Sequence, residues 1–459
     1  MLKKLLCLIF FLEILIPTLS KAQDIALYTQ INGRYDFTFI GNTMGPDENN
    51  LQYPTFLYTQ SSATLNLGVN DRIERAYLYW AGSGSGDTEI KLNGVDMTPD
   101  ILSTVVGTSS NLTYFSAFKD ITSFVQSIGN STYTLSEFDL NHLVTEYYDN
   151  ATQFAGWAIL VVYENPSLTL NQLNIYQGLE ALSPNRPLGI IDYMTIQLDN
   201  LYLISNTGAK IGFIAWEGDR LIQYEEKLNF SANGTTNVLS NTLNPSDNAF
   251  NGTNTETNST NLYNMDLDVY SIENYIVPGT TSATVSLQSG QDYVMLNTVV
   301  TKLNSQLPDA TIVLENPSST CNSREVTLDF TVSSLNSTEV LQANTPITFY
   351  AGTQAIATTY TQNIIPIGGS ENGTITLTIP NAIPLNFTLT VNVDDTGNGT
   401  GIRPELIETN NSFQIEIELT VSPTFNNLDS ITSCNLGLTR GIFDFSSYSE
   451  LVKTDPSHI

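Results

Sequence analysis

The stretch WAILVVY, residues Trp157–Tyr163, is apolar on both faces of an extended chain. Such a run predicts a central β-strand that is covered on each side. Further β-rich runs, separated by turns of Gly, Asn, Asp, Ser and Pro, recur along the whole chain. The clearest of them are Arg75–Trp80, Met194–Ile204, Ile211–Trp216, Ala283–Leu287 and Tyr293–Leu303. The sequence therefore predicts an all-β fold.

One segment has the pattern of a short helix. Asp120 stands at its N-cap position, apolar residues follow at helical spacing from Ile121 to Ile128, and Gly129 comes just beyond them. The composition changes over Asn229–Asn264, which is almost free of aliphatic residues and rich in Asn, Thr, Ser and Gly. This composition predicts a long excursion over the protein surface.

The domain organisation follows from where these patterns change. Residues 23–308 are predicted to form a jelly-roll or β-sandwich region of one or two packed sandwiches, with a split near residues 165–190. The clearest boundary is Gln306–Asp309, after which residues 311–421 carry short alternating strands at the spacing of an Ig-like sandwich. Residues 422–459 resemble the start of a further repeat, because Cys434-Asn435 echoes Cys321-Asn322.

The charge balance excludes one class of partner. The 459 residues include 17 Lys and Arg against 46 Asp and Glu, which gives a formal net charge of −29. Such a chain repels nucleic-acid phosphates, so no nucleic acid is expected as a partner. Only 14% of the residues are charged, and a low charge density with many β-formers is typical of a secreted β protein.

The N-terminus predicts an export signal over residues 1–22. Lys3 and Lys4 supply a positive start, Leu5–Leu19 is an apolar run, and Ser20-Lys21-Ala22 has the small residues of a cleavage site. The run is shorter than a membrane anchor needs. No later segment is long and apolar enough to cross a bilayer, so no transmembrane segment is expected in the mature chain.

Two cysteines, Cys321 and Cys434, remain once the predicted signal is removed. An exported protein meets an oxidising environment, in which the two thiols can pair as a disulfide. Each can equally be a buried apolar side chain. The sequence leaves both interpretations open.

The residues offer little to a catalytic mechanism. His142 and His458 are the only histidines, and no nucleophile elbow, zinc-protease or CxxC motif occurs. The most site-like stretch is Trp216-Glu217-Gly218-Asp219, where an aromatic residue and two acids end a strand. These residues can bind a sugar ligand, or serve as the carboxylate pair of a glycosidase. The strand context of Trp216 also fits a core residue.

A second polar cluster, VDDTGNGTG at Val393–Gly401, is followed by further acids and amides. Ca²⁺ takes six to eight oxygen ligands from carboxylates, amides and carbonyls. The cluster therefore predicts a Ca²⁺ site with Asp394, Asp395, Asn398 and Glu405 as ligands. The alternative is a β-hairpin turn rich in acceptors. No other cofactor is expected.

Several long segments of the sequence resemble the N-terminal region of large flavobacterial surface proteins that are linked to gliding motility and type IX secretion. They are RYDFTFIGNTM (Arg34–Met44), ERAYLYWAGSGSGD (Glu74–Asp87), FAGWAILVVYEN (Phe154–Asn165), LNQLNIYQGLEAL (Leu170–Leu182), NMDLDVY (Asn264–Tyr270) and VTKLNSQLPDAT (Val300–Thr311). The stretches Val393–Gly401 and Ile407–Asn411 are similar to the bacterial cell-adhesion-related Ig-like domain.

The resemblance implies a secreted, non-catalytic protein at the outer cell surface of a Gram-negative bacterium. The N-terminal β region would be a recognition or adhesion head for an extracellular glycan or protein, and the Ig-like domain a stalk unit. Secretion machinery is the implied partner. A C-terminal sorting domain, usual in such proteins, is not visible in this sequence. The alternative function is a carbohydrate-binding module or a glycan-active enzyme on a jelly-roll scaffold.

Overall fold

A computed structural model describes residues 20–21, 24–51, 54–108, 110–182, 191–199, 201, 203–305, 307–422, 426–430, 441–446 and 451–454. The chain divides into two compact units. The first comprises Met1–Leu307 with Asn336–Thr338, and the second Pro308–Leu335 with Glu339–Ile459. Six β-sheets in the described part of the chain confirm the predicted all-β class of sandwiches. Among the described residues, no helix is long and apolar enough to cross a membrane.

The first unit contains nineteen strands in the described part of the chain. In chain order they are β1 (Ser20–Lys21), β2 (Ala26–Gly33), β3 (Tyr35–Thr43), β4 (Gln60–Leu65), β5 (Arg72–Ser83), β6 (Ile90–Leu92), β7 (Val95–Met97), β8 (Ile101–Val106), β9 (Thr113–Asp120), β10 (Ser131–Ser136), β11 (Ala155–Glu164), β12 (Asn171–Leu182), β13 (Asp192–Leu198), β14 (Leu203–Trp216), β15 (Lys227–Ala232), β16 (Thr235–Val238), β17 (Met265–Ser271), β18 (Ala283–Ser289) and β19 (Val294–Ser305). They are joined by helices α1 (Thr122–Ile128) and α2 (Val144–Tyr147) and by a 3₁₀ turn, Tyr148–Asn150.

These strands form four sheets that pack as successive layers. Their strand orders are β4-β10-β6-β7, β1-β8-β9-β5-β11-β3, β17-β14-β19-β12-β2 and β13-β18-β15-β16. All neighbours are antiparallel except β1 and β8, which pair in parallel. One hydrophobic core lies between the first and second sheets, one between the second and third, and one between the third and fourth. The two middle sheets are therefore buried on both faces.

Strand β11 shows why a run with no polar face was needed in a middle layer. Trp157, Ile159 and Val161 belong to the core against the first sheet. The alternate residues Ala158 and Leu160 belong to the core against the third sheet. Because successive side chains of a strand point to opposite faces, both sets must be apolar. The prediction of a doubly covered central strand is confirmed.

Helix α1 is confirmed, but its N-cap is Ile121 and not the predicted Asp120, and the N-cap side chain makes no capping hydrogen bond. The backbone N–H of Thr122 donates to Oδ1 of Asp120 at 2.8 Å. Gly129 ends the helix at a φ of 70°, and its N–H donates to the carbonyl of Val125. A φ in this region favours glycine, which has no Cβ to clash.

The prediction of a surface excursion over Asn229–Asn264 is wrong. Its first part forms the hairpin of β15 and β16. Much of the remainder is buried in the first unit, including Asn244, Asn248 and Asn254, none more than 2% exposed. Asparagine can be buried in this way when its amide and the neighbouring backbone find hydrogen-bond partners, and here many of those partners are carboxylates.

The described residues of the second unit form a sandwich of seven strands. Its strands are β20 (Thr311–Ser319), β21 (Glu325–Ser333), β22 (Pro346–Ala351), β23 (Gln354–Tyr360), β24 (Ser370–Thr378), β25 (Asn386–Val393) and β26 (Ser412–Glu418). Sheets β20-β21-β24 and β23-β22-β25-β26 enclose one hydrophobic core, in keeping with an Ig-like architecture. Cys321 is a free, exposed thiol. Its predicted partner Cys434, His458, most of the predicted export signal and most of residues 422–459 lie outside the described residues.

Candidate functional site

Trp216, the last residue of β14, lies in the core between the second and third sheets. Its side chain is completely buried, and its indole Nε1 donates to Oδ1 of Asn297 at 3.2 Å. Trp216 was predicted as a ligand-binding residue, but a sugar ring cannot stack on an indole enclosed in this way. The indole is a packed core residue with its polar atom satisfied, as buried tryptophans usually are.

The two acids that follow Trp216 are also buried, and the fold brings a third acid to them. Glu217 and Asp219 are 1% and 3% exposed, and Asp292 is 3% exposed. One carboxylate oxygen from each of the three lies within 4.8 Å of the others. The backbone N–H of Asp219 donates to Oδ2 of Asp292 at 2.9 Å. Asn49 donates through Nδ2 to Oε1 of Glu217 at 2.7 Å.

Gly218 allows this arrangement because a side chain would not fit at its position. A Cβ on Gly218 would lie 2.5 Å from Cβ of Phe250, 2.6 Å from the Phe250 carbonyl oxygen and 2.7 Å from Oδ2 of Asp266. Asp266 therefore reaches the backbone between Glu217 and Asp219. The sequence pattern placed Gly218 at the end of a strand and did not predict this close contact.

We call the full set of these buried acids the acidic centre. Its members are carboxylates that are each at most 3% exposed and that influence one another electrostatically, namely Glu48, Glu217, Asp219, Glu226, Asp266, Asp268 and Asp292. Burial raises their pKa values, because the low-dielectric interior disfavours the charged form. For Glu48 and Asp268 burial raises the pKa to about 7.

Neighbouring acids add to the effect of burial. Burial is the main cause that raises the pKa of Glu217 well above its usual range, and the charges of Asp219 and Asp292 raise it further. The pKa of Asp292 is raised by burial first and then by Glu226. Like charges at short range disfavour ionisation of each other. The acidic centre is therefore strained electrostatically whenever its carboxylates are all ionised without a cation.

The Asn-rich segment before β17 supplies hydrogen bonds to part of the centre. Oδ1 of Asp266 accepts the backbone N–H groups of Asn251, Gly252 and Thr253 at 2.9, 2.9 and 3.1 Å. Asp268 accepts the Thr253 hydroxyl and the N–H of Thr255. Three donors on one oxygen hold the segment tightly around the carboxylate.

The members of the acidic centre are enclosed, each at most 3% exposed. Three surface grooves of the described chain have volumes of about 670, 680 and 200 Å³. None of the three is lined by a member of the acidic centre. Glu217 and Asp219 therefore do not form an accessible carboxylate pair of the kind that glycoside hydrolysis uses.

Most members of the centre were not found from the sequence. Glu48, Glu226 and Asp292 are single acids in unrelated surroundings, far apart along the chain. A usable signal is NMDLDVY, in which Met265 and Leu267 alternate with Asp266 and Asp268. All four are buried, so one face of β17 packs in a core and the other carries carboxylates.

The second predicted cluster is a tight turn in the second unit. Oδ1 of Asp395 accepts the backbone N–H groups of Gly397, Asn398 and Gly399 at 2.8, 3.1 and 3.0 Å. Its Oδ2 accepts the hydroxyl of Tyr350. Burial raises the pKa of Asp395, but the Tyr350 hydroxyl and the three N–H groups more than offset it and the pKa is lowered. Both oxygens of Asp395 are occupied by donors.

The other predicted ligands of this cluster differ in their surroundings. Oδ1 of Asn398 accepts both the N–H and the hydroxyl of Thr400. Oδ1 of Asp394 and Oε1 of Glu405 are buried without a hydrogen-bond partner. Burial raises the pKa of Glu405 to about 8, and the nearby charge of Asp394 raises it further. The structure thus separates Asp394 and Glu405, which keep a free oxygen, from Asp395 and Asn398, which use theirs in the turn.

Comparisons with known proteins give distant structural likenesses. No protein-family model matches the chain, and no curated protein matches it. A CARDB domain of PF1109 from Pyrococcus furiosus is 16% identical with a TM-score of 0.20, over 25% of this chain and 97% of that domain. A glycosyl hydrolase family 2 member from Bacteroides cellulosilyticus is 8% identical with a TM-score of 0.16, over 56% of this chain and 29% of that one. A β-glucuronidase from Ruminococcus gnavus is 10% identical with a TM-score of 0.15, over 51% of this chain and 35% of that enzyme. At these TM-scores the likenesses carry no functional argument.

Proposed function

We propose that this chain is an exported, non-catalytic recognition protein of the cell surface, with an Ig-like unit as part of its stalk and a link to gliding motility or type IX secretion. The observation that carries the proposal against a glycan-active enzyme is the burial of Trp216, Glu217 and Asp219. Their exposed fractions are 0%, 1% and 3%. Groups enclosed to this degree support structure or ion binding and not contact with a polysaccharide.

The outer side of the sheet β4-β10-β6-β7 offers a surface for recognition. Ser62 pairs with Thr134 at 2.8 Å between hydroxyl oxygens, and Thr64 pairs with Thr132 at 3.0 Å. We call these four residues the hydroxyl face. It is solvent-facing and uncharged, and hydroxyls both donate and accept hydrogen bonds. Such a face suits a ligand rich in hydroxyl or amide groups, which is the chemistry of an extracellular glycan or protein.

A carbohydrate-binding module is the second candidate, favoured by one exposed aromatic pair. Phe56 and Tyr58 are 48% and 51% exposed, with ring centroids 5.5 Å apart and nearly perpendicular planes. They precede β4, whose Ser62 and Thr64 lie on the hydroxyl face. Aromatic rings present large, rigid apolar surfaces with a low cost of ordering, and the C–H face of a sugar packs well on them.

The full chain can be tested on arrays of bacterial and host glycans and of extracellular matrix proteins. A double variant, Phe56→Ala with Tyr58→Ala, removes the aromatic pair. A second variant, Ser62→Asp with Thr132→Asp, places charge on the hydroxyl face. Tyr193→Ala is the matched control, because Tyr193 is 67% exposed on a different sheet.

Each outcome distinguishes the candidates. Binding that is lost in the hydroxyl-face variant and kept in the Tyr193→Ala control supports the recognition face. Glycan binding that is lost only in the aromatic double variant supports the carbohydrate-binding module. Turnover of a glycan by the purified chain, abolished by Glu217→Gln, would contradict a non-catalytic role.

A further inference from the structure

The acidic centre carries much more negative charge than its surroundings balance. Its seven carboxylates are each at most 3% exposed. None takes part in an ion pair within the described ranges of the chain. Arg220, which acts electrostatically on Glu48, is exposed. Several ionised carboxylates enclosed together without a counter-ion are strongly unfavourable, so a bound cation would relieve a large electrostatic cost.

Two buried oxygens without donors belong to side chains that contact this centre. The Nδ2 atom of Asn49 donates to Glu217, so its amide lies against the acids, yet its Oδ1 has no hydrogen-bond partner. Oδ2 of Asp266 also has none, although it reaches the backbone at Gly218. The side chains of Asn49 and Asp266 are 0% and 1% exposed. Buried polar atoms are nearly always partnered, so these two oxygens beside the acids are available to a cation.

We infer that Ca²⁺ binds at the acidic centre, held by the carboxylates of Glu217, Asp219 and Asp292 and by the amide oxygen of Asn49. Oxygen ligands lie 2.3–2.6 Å from Ca²⁺, so oxygens on opposite sides of one ion are about 4.6–5.2 Å apart. Oxygens of the three carboxylates lie within 4.8 Å of one another. The spacing therefore allows one ion to contact all three without rearrangement of the backbone.

The ligand chemistry selects Ca²⁺ among the common divalent cations. The centre offers carboxylate and amide oxygens, whereas Zn²⁺ in proteins is held mainly by His and Cys. Mg²⁺ requires a near-octahedral shell and keeps several waters, which an enclosed set of side chains accommodates poorly. Ca²⁺ accepts six to eight oxygens in irregular geometry, and Asp266 adds a further free oxygen beside Gly218, which lies between Glu217 and Asp219.

The proposed ion would tie together segments that are far apart in sequence. Asn49 lies between β3 and β4, Glu217 and Asp219 follow β14, and Asp292 precedes β19. The ion therefore links the connection of one sandwich to the strands of the next within the first unit. A ligand that binds only the folded state stabilises it by mass action. This inference stands on the geometry of the centre and is independent of the recognition role.

The wild-type chain provides the first test. Thermal unfolding is measured in EGTA, in millimolar CaCl₂ and in millimolar MgCl₂, and Ca²⁺ should raise the midpoint clearly more than Mg²⁺ does. Tb³⁺, which replaces Ca²⁺, should give luminescence when tryptophan is excited, because Trp216 directly precedes Glu217. Excess Ca²⁺ should quench that signal. Identical melting curves in EGTA and CaCl₂, with no sensitised Tb³⁺ signal, would overturn the inference.

Single-residue variants test whether the ion binds at the proposed ligands. Asp292→Asn should lose most of the Ca²⁺-induced shift, yet unfold in EGTA at the same or a higher temperature than wild type, because one repelling charge is gone. Asp96→Asn is the matched control, since the Asp96 side chain is 89% exposed, and it should behave as wild type in both buffers. If Asp292→Asn does not fold, Asn49→Ala removes a neutral ligand and should lower Ca²⁺ affinity at least tenfold. A full Ca²⁺ shift in the folded ligand variant would overturn the assignment.

Discussion

The Nζ atom of Lys302 lies 2.6 Å from Oδ2 of Asp36, in an ion pair whose side chains are only 8% and 13% exposed. Lys210 binds the other oxygen of the same carboxylate, also at 2.6 Å. Asp36 belongs to β3 in the second sheet, whereas Lys210 and Lys302 belong to β14 and β19 in the third. One carboxylate thus joins the two middle layers of the first unit across their shared core.

Replacing Asp36 should destabilise the first unit at neutral pH. Asp36→Asn leaves two largely buried ammonium groups without their counter-ion, and breaking a buried pair in this way costs about 3–5 kcal/mol. Chemical denaturation of the full chain measures the loss. Asp96→Asn, at an exposed carboxylate, should change the free energy of unfolding by less than about 0.5 kcal/mol. An Asp36→Asn variant as stable as wild type would contradict a structural role for the ion pair.

The same carboxylate should make stability depend on pH in acid. Burial raises the pKa of Asp36, but the charges of Lys210 and Lys302 more than offset burial and the net pKa is lowered. Tyr163 faces the group from β11 and stays neutral in acid. A carboxyl with a lowered pKa in the folded state contributes stability above its ordinary pKa of about 3.9 and loses it as the pH falls through the folded value. The free energy of unfolding of wild type should therefore decrease as the pH falls into the acid range. In Asp36→Asn this decrease should be smaller.

Gly218→Ala should be among the most damaging single-methyl changes in the chain. The new Cβ would lie 2.5 and 2.6 Å from atoms of Phe250 and 2.7 Å from Oδ2 of Asp266. One of the Phe250 atoms is a backbone carbonyl, so the neighbour cannot rotate away, and overpacking costs about 1–3 kcal/mol or more. Gly234→Ala is the control, because its φ of 75° is strained for alanine but no atom lies within 4 Å. The control should cost about 1–2 kcal/mol, and an equal loss at both positions would contradict the crowding at Gly218.

The fold was predictable where one physical rule acts on neighbouring residues. The run Trp157–Tyr163 must be apolar on both faces because β11 lies in a middle sheet, and periodicity detects that directly. Helix α1 was predictable for a similar reason, since its apolar stripe and terminal glycine lie within one short segment. Structure that depends on neighbouring residues can therefore be predicted from the sequence.

The acidic centre was not predictable in the same way. Its acids come from positions as distant as Glu48 and Asp292, and no spacing rule relates residues that only the sheet topology brings together. The predicted exposure of the Asn-rich segment is wrong because a polar composition ordinarily indicates exposure to water. Here the segment donates its backbone N–H groups to Asp266 and Asp268 instead. Burial of polar residues follows from partners that the sequence does not reveal.

Cys321→Ser should leave stability almost unchanged. The thiol is exposed, and its sulfur lies 3.1 Å from the hydroxyl of Ser422. Serine keeps a hydrogen-bonding group at the same place, so the expected change in the free energy of unfolding is within about 0.5 kcal/mol. Thermal unfolding with and without a reductant measures it. A loss of about 2–4 kcal/mol that the reductant reproduces in wild type would instead indicate a disulfide to this cysteine.

Asp395→Ala should destabilise the second unit equally with and without calcium. Oδ1 of Asp395 accepts three backbone N–H groups of its turn, and Oδ2 accepts the hydroxyl of Tyr350. Removing a buried acceptor leaves those donors unpaired, which costs about 1–3 kcal/mol. A cation would have to displace these donors to reach the carboxylate, so the difference in stability between variant and wild type should be the same in EGTA and in CaCl₂. Thr396→Ala, at the exposed next residue, is the control and should change little. A loss in Asp395→Ala that appears only when Ca²⁺ is present would instead make Asp395 a direct ligand.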